Sequence, residues 1–247
     1  MIDLHSHVLP GLDDGAEDVE EALAICRAAA ADGTTVLAGT PHVRDDYPTT
    51  PERMEAALAE LRAAAGDELR LVSGGEIALG EVRRRSPDEL RGFALAGNPR
   101  YLLVETPYAG WPLDLGALLA DLRAAGITAV LAHPERNLDV AQRPELLAPL
   151  VAGGTLVQLT AASVDGRLGS RVQRCAKSLL ERGLAHLVAS DAHGPEVRAI
   201  GLRSAADAIG DEALARWLTV DVPAAIVDDS PLPPRPERSK RKRFGLL

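Results

Sequence analysis

Short apolar stretches alternate with longer amphipathic stretches along the whole of the 247-residue chain. Apolar runs of this length, bounded by glycine, proline or charged residues, predict buried strands. The predicted strands are residues 2–7, 34–40, 69–77, 101–105, 128–133, 155–160 and 186–191.

The segments between these strands have the periodicity and the end signals of helices. Most of them are followed by a glycine, which commonly ends a helix, and one begins with a proline after Thr50. The predicted helices are residues 17–31, 51–65, 113–125, 144–152 and 171–182, with a weak helix at 87–91 and a last helix or extended cover at 219–229.

This alternation predicts a mostly parallel α/β fold, because parallel neighbours need crossover connections. An open sheet and a closed barrel both satisfy the pattern. We expect one domain over residues 1–228. Residues 229–247 are rich in proline and basic residues, have little to contribute to a core, and are expected to form a flexible tail.

Ionisable residues cluster where the predicted strands end, which is where parallel barrels carry their active sites. Five of the six histidines fall at these ends, whereas His186 opens the last strand and is expected at the opposite end. Buried charges must be paired or must bind metal. Imidazole and carboxylate without thiolate suit Mn, Fe or Zn, and so many ligands imply two or three ions. The candidates at the strand ends are His5, His7, His42, Glu76, Glu105, His133, Asp191 and His193.

Several of these residues also have ordinary structural explanations. His5 and His7, two positions apart, face the same side of a strand and can reach one ion, or they can form an inward pair in a barrel layer. Asp13 and Asp14 precede Gly15, a sequence that is usual in turns as well as a source of ligands.

Arginines follow two of the candidate ligands and suit a bound phosphate. Arg136 comes three residues after His133, where Glu135 and Arg136 can instead form a surface pair, and Arg198 follows His193. The planar guanidinium matches phosphate geometry. Arg44 is a weaker candidate of the same kind.

The sequence excludes several catalytic classes. No arginine stands six positions after Cys26 or Cys175, so neither cysteine opens the loop of a cysteine phosphatase. There is no Gly-x-Ser-x-Gly elbow and no phosphate-binding loop that ends in Gly-Lys-Ser/Thr. The first lysine is Lys177, so the carbamylated lysine that bridges metals in many amidohydrolases has no counterpart on the middle strands.

Charge is distributed unevenly along the chain. The whole chain has 27 basic and 36 acidic residues, net −9, whereas residues 231–247 have six basic and one acidic, net +5. Residues 1–230 therefore carry 21 minus 35, or −14, and aromatic residues are only 3% of the chain. This balance disfavours nucleic acid as a partner. The basic run at 239–243 is interpreted as a solvated end or as a weak contact for an anionic membrane or an acidic partner.

No signal peptide is recognised at the start of the sequence, so a cytoplasmic location is expected. No apolar run approaches the length of a membrane span.

Taken together, these motifs resemble those of the polymerase and histidinol phosphatase (PHP) superfamily. More narrowly, they are similar to the manganese-dependent tyrosine phosphatases of bacterial capsule and exopolysaccharide loci, over about residues 1–228. The segments that carry the resemblance are His5-Ser-His7, Asp13-Asp14-Gly15, Gly75-Glu76-Ile77, His133-Pro-Glu135-Arg136 and Ser190-Asp191-Ala-His193.

The resemblance implies a distorted (β/α)7 barrel that holds three divalent ions, with Mn expected and Fe or Zn as alternatives. It implies that Arg136 and Arg198 bind phosphate, that Asp191 or His193 moves a proton, and that hydroxide held between metals attacks phosphorus. The implied ligands are His5, His7, Glu76 and Asp191 for the first ion, Glu76, Glu105 and His133 for the second, and Asp14, His42 and His193 for the third.

The implied substrate is a phosphotyrosine protein, with a bacterial tyrosine kinase as the expected partner. Residues 43–50 depart from the expected pattern, because they are acidic where a basic loop would better suit a phosphorylated segment. The alternatives are a small-molecule phosphoesterase such as histidinol phosphatase, an exonuclease, and a non-catalytic regulatory partner. A homo-oligomer stays open.

Overall fold

The computed structural model describes residues 1–67, 69–194 and 199–237. Within these residues, strands β1 to β10 are Ile2–Ser6, Val36–Gly39, His42–Arg44, Tyr47–Pro48, Arg70–Ser73, Glu76–Ala78, Tyr101–Glu105, Thr128–Ala132, Leu156–Thr160 and Leu187–Ala189. Helices α1 to α12 are Val19–Asp32, Pro51–Ala65, Leu79–Arg84, Pro87–Arg91, Leu115–Ala124, Leu138–Gln142, Ala148–Ala152, Ala161–Asp165, Ser170–Arg182, Leu202–Ile209, Glu212–Arg216 and Val222–Val227. Short 3₁₀ turns lie at Leu95–Gly97, Pro134–Arg136 and Pro144–Leu147, and a π turn lies at Trp217–Asp221.

The strands form two parallel ladders that continue one another. One ladder runs β1-β2-β5, and the other runs β10-β9-β8-β7-β6-β3, with β4 added antiparallel to β3. Strand β3 follows β2 directly along the chain, and β6 follows β5, so each pair is one kinked strand that spans both ladders. The parallel pairings β2–β5 and β3–β6 keep these two kinked strands side by side.

The first and last strands meet and close the ring. The N–H of Asp191 donates to the carbonyl of His5 at 2.8 Å, and the N–H of His7 donates to the carbonyl of Ala192 at 2.8 Å. Ser6 and Ala192 form a parallel bridge between β1 and the end of β10. Seven strand positions therefore form a distorted α/β barrel, which confirms the predicted fold class.

The third predicted strand, residues 69–77, is divided in two because a pair of glycines bends it. Gly74 and Gly75 separate β5 from β6, and the N–H of Gly75 donates to the carbonyl of Phe93. A Cβ on Gly75 would lie 3.0 Å from the Cβ of Phe93, so the bend needs a residue without a side chain. The bend turns the next residue, Glu76, toward the barrel axis, where it is buried.

Prolines explain two other differences from the predicted helices. The predicted helix 144–152 is a 3₁₀ turn followed by α7, whose second residue is Pro149. Residues 219–229 contain the end of a π turn and then α12, whose second residue is Pro223. Proline has no N–H for the helical ladder, so the hydrogen-bond pattern changes at both places while the backbone stays helical.

The first part of the proline-rich segment packs against the barrel at the end where the strands begin. The indole N–H of Trp217 donates to the carbonyl of Pro233 at 3.0 Å. The Arg235 guanidinium donates to the carbonyls of Ala185 and Leu180 at 2.8 and 2.9 Å and lies over the Trp217 ring. The predicted flexible tail, residues 229–247, is thus in contact with the barrel at Pro233 and Arg235, and its basic run at 239–243 lies outside the described residues. No helix in the described part of the chain is long and apolar enough to span a membrane.

Candidate metal centre

All nine predicted metal ligands lie together at the carboxyl ends of the barrel strands. They form four overlapping groups in which one ligand atom from each residue lies within 4.8 Å of the others. The groups are His7, Asp14, His42 and His193; His5, His7 and Glu76; His5, His133 and Asp191; and His42, Glu76 and Glu105.

The imidazoles of His5 and His7 lie against the carboxylates of Glu76 and Asp191. The Nε2 atoms of His5 and His7 are 3.3 Å apart. His5 Nε2 lies 3.5 Å from Glu76 Oε2 and 3.3 Å from Asp191 Oδ1, and His7 Nε2 lies 3.4 and 3.2 Å from the same two oxygens. Ligand atoms bound to one ion at ~2.0–2.1 Å lie at most about 4 Å apart. The five distances are short enough for each carboxylate to share an ion with the two imidazoles.

The other ligands extend the cluster on both sides of this arrangement. Asp14 Oδ1 lies 3.4 Å from Nε2 of both His42 and His193. Glu76 lies in the centre, with Oε1 2.8 Å from His133 Nε2 and Oε2 2.8 Å from His42 Nδ1.

Glu105 lies at the edge of the cluster and is buried, whereas Asp14 is its most exposed member. Its Oε2 is 3.9 Å from His42 Nδ1 and 3.5 Å from an Arg44 Nη atom. Arg44, the weaker candidate for binding phosphate, therefore lies beside the carboxylate of Glu105.

Hydrogen bonds on the far side of three imidazole rings aim their Nε2 atoms at the cluster. His5 Nδ1 donates to Gln158 Oε1 at 3.0 Å, His7 Nδ1 donates to Asp13 Oδ2 at 2.6 Å, and His193 Nδ1 donates to a backbone carbonyl at 2.9 Å. A ring that donates from Nδ1 keeps a lone pair on Nε2 when neutral. These neighbours therefore hold the tautomer that a metal ligand needs.

Asp13 positions the cluster without belonging to one of the four groups. Besides the His7 ring, its Oδ2 accepts the backbone N–H of His42 at 2.8 Å. Burial opposes ionisation of Asp13, but the charge of His7 and these hydrogen bonds lower its pKa to about 2. The loop depends on Gly15, since a Cβ there would lie 2.4 Å from the Cβ of His7.

Gln158 and Asp3 are functional positions that the sequence analysis missed. Gln158 Oε1 also accepts the backbone N–H of His133 at 3.2 Å. Asp3 Oδ1 accepts the N–H groups of His5 and Ser190 at 3.2 and 3.0 Å. Each is a polar residue within a buried strand, which in the sequence is the signal of a polar contact inside the barrel.

Arg136 lies inside the site and not on the surface. Its Nη2 atom donates to Asp191 Oδ2 at 2.5 Å and to Thr160 Oγ1 at 2.9 Å. Glu135 turns away from it, is fully buried and accepts the backbone N–H of Thr160. The proposed surface pair of Glu135 and Arg136 is therefore wrong. Arg198, the second phosphate candidate, lies outside the described residues.

Two ligands are held in a backbone conformation that is uncommon for their residue type. His133 has φ of 34° and Asp191 has φ of 54°. Such values cost free energy in residues other than glycine and persist only where surrounding contacts enforce them. They indicate that the strand ends are shaped to present these side chains.

Electrostatics at the centre of the cluster favour ionised Glu76 and Asp191 and protonated His5 and His7. Burial opposes charge on all four, yet the carboxylates of Glu76 and Asp191 raise the pKa of His5, and Asp13 above all raises the pKa of His7. Conversely, although burial acts to raise their pKa values, nearby histidines hold the pKa values of Glu76 and Asp191 well below the usual range. The acids attract positive charge, which divalent ions would supply in place of protons.

The remaining histidine and both cysteines lie away from the cluster. His186 lies at the opposite end of the barrel near Trp217, as predicted. Burial raises the pKa of the Cys26 thiol to about 11 and that of the Cys175 thiol to about 12. Neither thiol is a nucleophile at neutral pH.

Known proteins share both the sequence and the fold. A family model for "Capsular polysaccharide synthesis, CpsB/CapC" matches residues 1–227. The tyrosine-protein phosphatase YwqE of Bacillus subtilis is 32% identical over 257 residues, covering 100% of both chains. The tyrosine-protein phosphatase CpsB of Streptococcus pneumoniae is 28% identical over 246 residues, covering 93% of this chain and 99% of the relative.

The fold comparison agrees with the sequence comparison. A crystal structure from work on YwqE and CpsB, described there as unique metal-dependent tyrosine phosphatases, superposes with a TM-score of 0.86. The two chains are 29% identical, and the superposition covers 97% of this chain and 100% of the other. This protein therefore belongs to the CpsB/CapC family of capsular polysaccharide synthesis.

Proposed function

We propose that the protein is a metal-dependent phosphatase that hydrolyses phosphotyrosine on proteins. The observation that carries the proposal is that the Nε2 atoms of His5 and His7 lie 3.2–3.5 Å from each other and from oxygens of Glu76 and Asp191, beside a buried arginine. The related chains that carry the name tyrosine-protein phosphatase support the choice of substrate.

We assign three divalent ions to the cluster, with Mn first and Fe or Zn as alternatives. His5, His7, Glu76 and Asp191 would hold the first ion. Glu76 would also reach the second, with Glu105 and His133, whereas Asp14, His42 and His193 would hold the third. When bound, divalent ions supply positive charge for the phosphate and lower the pKa of water.

Arg136 is assigned to the phosphate of the substrate. Its charge is permanent, because burial is outweighed by Asp191 and Glu135, which raise its pKa further. Among the described residues, its buried Nε–H has no hydrogen-bond partner, so a donor is available for an oxygen of an anion. Arg198 is proposed as a second phosphate contact on its sequence position after His193.

Proton transfer is assigned to Asp191 or His193, and the structure favours different tasks for the two. Asp191 is held ionised by Arg136 and the neighbouring histidines, so it accepts protons poorly near neutral pH. His193 keeps Nε2 directed at the cluster, because Nδ1 donates to the carbonyl of Asp191. A phenolate, with a pKa of about 10, leaves more readily than an alkoxide and needs less help from an acid.

The acidic loop at 43–50 does not oppose a phosphorylated protein substrate. Asp45 Oδ1 lies 2.6 Å from an Arg84 Nη atom, and Asp46 Oδ1 lies 2.8 Å from Arg44 Nε. Both acids of the loop are therefore paired with arginines, which offset their negative charge. We infer a tyrosine kinase of polysaccharide synthesis as the substrate protein and the cytoplasm as the location.

The test compares initial rates of phosphate release from a phosphotyrosine peptide and from histidinol phosphate. Both are measured with Mn²⁺ and after chelation. We expect the peptide to be preferred and both rates to disappear on chelation. A preference for histidinol phosphate, or release that continues after chelation, would contradict the proposal.

A further inference from the structure

A largely apolar cavity opens beside the metal cluster, next to Glu105. It has a volume of about 500 Å³ and lies where β6 and β7 end. Its apolar wall consists of Ala78, Leu79, Pro107, Tyr108 and Pro112. Along the chain, the residues of this wall come shortly after Glu76 of β6 and Glu105 of β7. A group that left the phosphate on this side would enter the cavity.

We propose that this cavity is the pocket for the aryl group of phosphotyrosine, and that Tyr108 determines the preference for aryl over alkyl phosphate esters. The proposal rests on the proposed function, because it assigns a pocket for the leaving group of that same reaction. It adds a specificity-determining residue that is not one of the assigned metal ligands.

Tyr108 is placed to hold an aromatic ring beside the cluster. Its ring is parallel to that of His133 within 2°, at 6.0 Å between centroids, yet the residue keeps 48% of its surface exposed. Its hydroxyl interacts with Arg136, the proposed phosphate ligand. The side chain therefore spans the distance between the phosphate position and the apolar wall.

Hydrogen bonds fix the backbone that carries Tyr108. The side-chain N–H of Asn137 donates to the carbonyl of Pro107 at 2.6 Å, and the N–H of Leu138 donates to the carbonyl of Tyr108 at 2.9 Å. Such anchoring lowers the entropic cost of ordering the loop around a ligand.

The size and charge of the cavity fit an uncharged ring better than a small polar group. A cavity of ~150 Å³ accommodates benzene, so this one has room for a phenyl ring and part of the attached peptide. The arginines at its rim are paired, Arg44 with Asp46 and Arg83 with Asp114 at 2.8 Å. A phosphoserine side chain would leave the apolar wall exposed to water.

The test measures equilibrium binding, so that it does not depend on turnover. Affinities of phenylphosphonate and methylphosphonate for the Mn²⁺-loaded protein are measured by calorimetry. We expect the native protein to prefer the phenyl compound. Tyr108→Ala should lower the ratio of the two affinities about three- to tenfold, the range of an aromatic contact, whereas Tyr108→Phe should keep it.

Leu113→Ala is the matched control, since Leu113 lies on the same loop, is fully exposed and does not line the cavity. It should leave the affinity ratio unchanged. Gly80→Leu supplies an independent test. Gly80 lines the cavity, and a Cβ there would meet no atom within 4 Å, so the larger side chain can be accommodated and should lower the ratio by narrowing the pocket.

Three results would overturn the proposal: no phenyl preference in the native protein, an unchanged ratio in both Tyr108→Ala and Gly80→Leu, or a ratio that falls only in Tyr47→Ala. Tyr47 stacks on His42 and does not line the cavity, so the last result would place the ring there. A native protein that binds phenylphosphonate with the expected preference but hydrolyses no phosphotyrosine peptide would contradict the proposed function and leave the pocket supported.

Discussion

The two ends of the barrel place histidine in opposite electrostatic surroundings. At the carboxyl end, His5 and His7 face the carboxylates of Glu76 and Asp191. At the other end, His186 lies near Trp217 and is affected by the charge of Arg235. Burial and this arginine lower the pKa of His186 to about 4, whereas the carboxylates raise the pKa values of His5 and His7 against the effect of burial.

The difference shows that neighbours, and not residue type or burial, decide what a histidine does here. His186 Nδ1 accepts the backbone N–H of Val157 at 3.2 Å, so the neutral ring completes the sheet. The rings of His5 and His7 instead donate from Nδ1 and direct Nε2 into a cluster of acids. One end therefore favours positive charge on or beside its imidazoles, whereas the other keeps its imidazole neutral.

The largest expected effect comes from removing the central negative charge of the cluster. In Glu76→Gln, we expect bound Mn²⁺ to decrease and phosphate release to fall on the order of 10²–10³-fold or more. Metal content by mass spectrometry and kcat/KM with a phosphotyrosine peptide provide the check. Full metal content with native turnover would show that this acid is not a ligand.

Replacing the guanidinium of Arg136 tests whether the carboxyl end of the barrel binds phosphate as well as metal. Arg136→Lys keeps the charge but cannot contact Asp191, Thr160 and a phosphate together, so we expect kcat/KM to fall by roughly 10²-fold with metal content retained. Arg143→Lys is the matched control, because Arg143 is exposed and pairs with Asp139. Equal effects of the two substitutions would remove the phosphate assignment.

Asp13→Asn tests the role of a neighbour that orients a ligand. The amide loses the charge that holds the proton on His7 Nδ1, so Mn²⁺ affinity should decrease about 10- to 100-fold. Titration of the metal-free variant with Mn²⁺ measures this. Native affinity would indicate that the loop and Gly15 alone position the ring.

At the opposite end, His186 should make stability depend on pH. Its pKa is about 4 in the folded protein and about 6.5 when unfolded, so the unfolded chain binds more protons between these values. The contribution of His186 to the free energy of unfolding is therefore fully present above pH 6.5 and is lost as the pH falls toward 4. Between pH 7 and pH 5 the loss is about 2 kcal/mol.

His186→Asn should abolish this contribution, since asparagine does not titrate and can accept the same backbone N–H. Urea unfolding of both proteins at pH 7 and pH 5 compares them, and groups elsewhere cancel in the difference. A stability difference between the two proteins that is the same at both pH values would contradict the account.

The smallest effect is expected from the cysteines. The double variant Cys26→Ser, Cys175→Ser should keep phosphate release within about twofold of native, because both thiols are buried and stay protonated. Kinetics of the folded variant check this. An inactive but folded double variant would support thiol chemistry and contradict the metal account.

Local signals made some elements predictable to the residue. Helix Pro51–Ala65 has its own cap, since Thr50 accepts the N–H of Arg53 and proline stands in the first turn. Strand Tyr101–Glu105 is apolar until its final acid. The clustering of the candidate ligands was predictable for a related reason, because strand ends in a parallel barrel converge whatever the exact packing.

Other features were not predictable, because they depend on distances between segments far apart in sequence. Gln158 reaches His5 across 153 positions, and the contact of Tyr108 with His133 depends on how the segment after Glu105 folds back. In the sequence, Asp13 is typical of a turn. It also orients the His7 ring, and that role depends on the packing of the loop against His7. Gly74 and Gly75 bend a strand that reads as continuous in sequence.

The most direct test of the account is the return of activity when metal is restored to the chelated protein. Phosphate release from a phosphotyrosine peptide is measured as Mn²⁺ is added back, and bound Mn²⁺ is measured in the same samples. We expect no release from the chelated protein and a rate that rises with bound Mn²⁺. Release that persists without bound metal would contradict the claim that the cluster of histidines and acids performs the reaction.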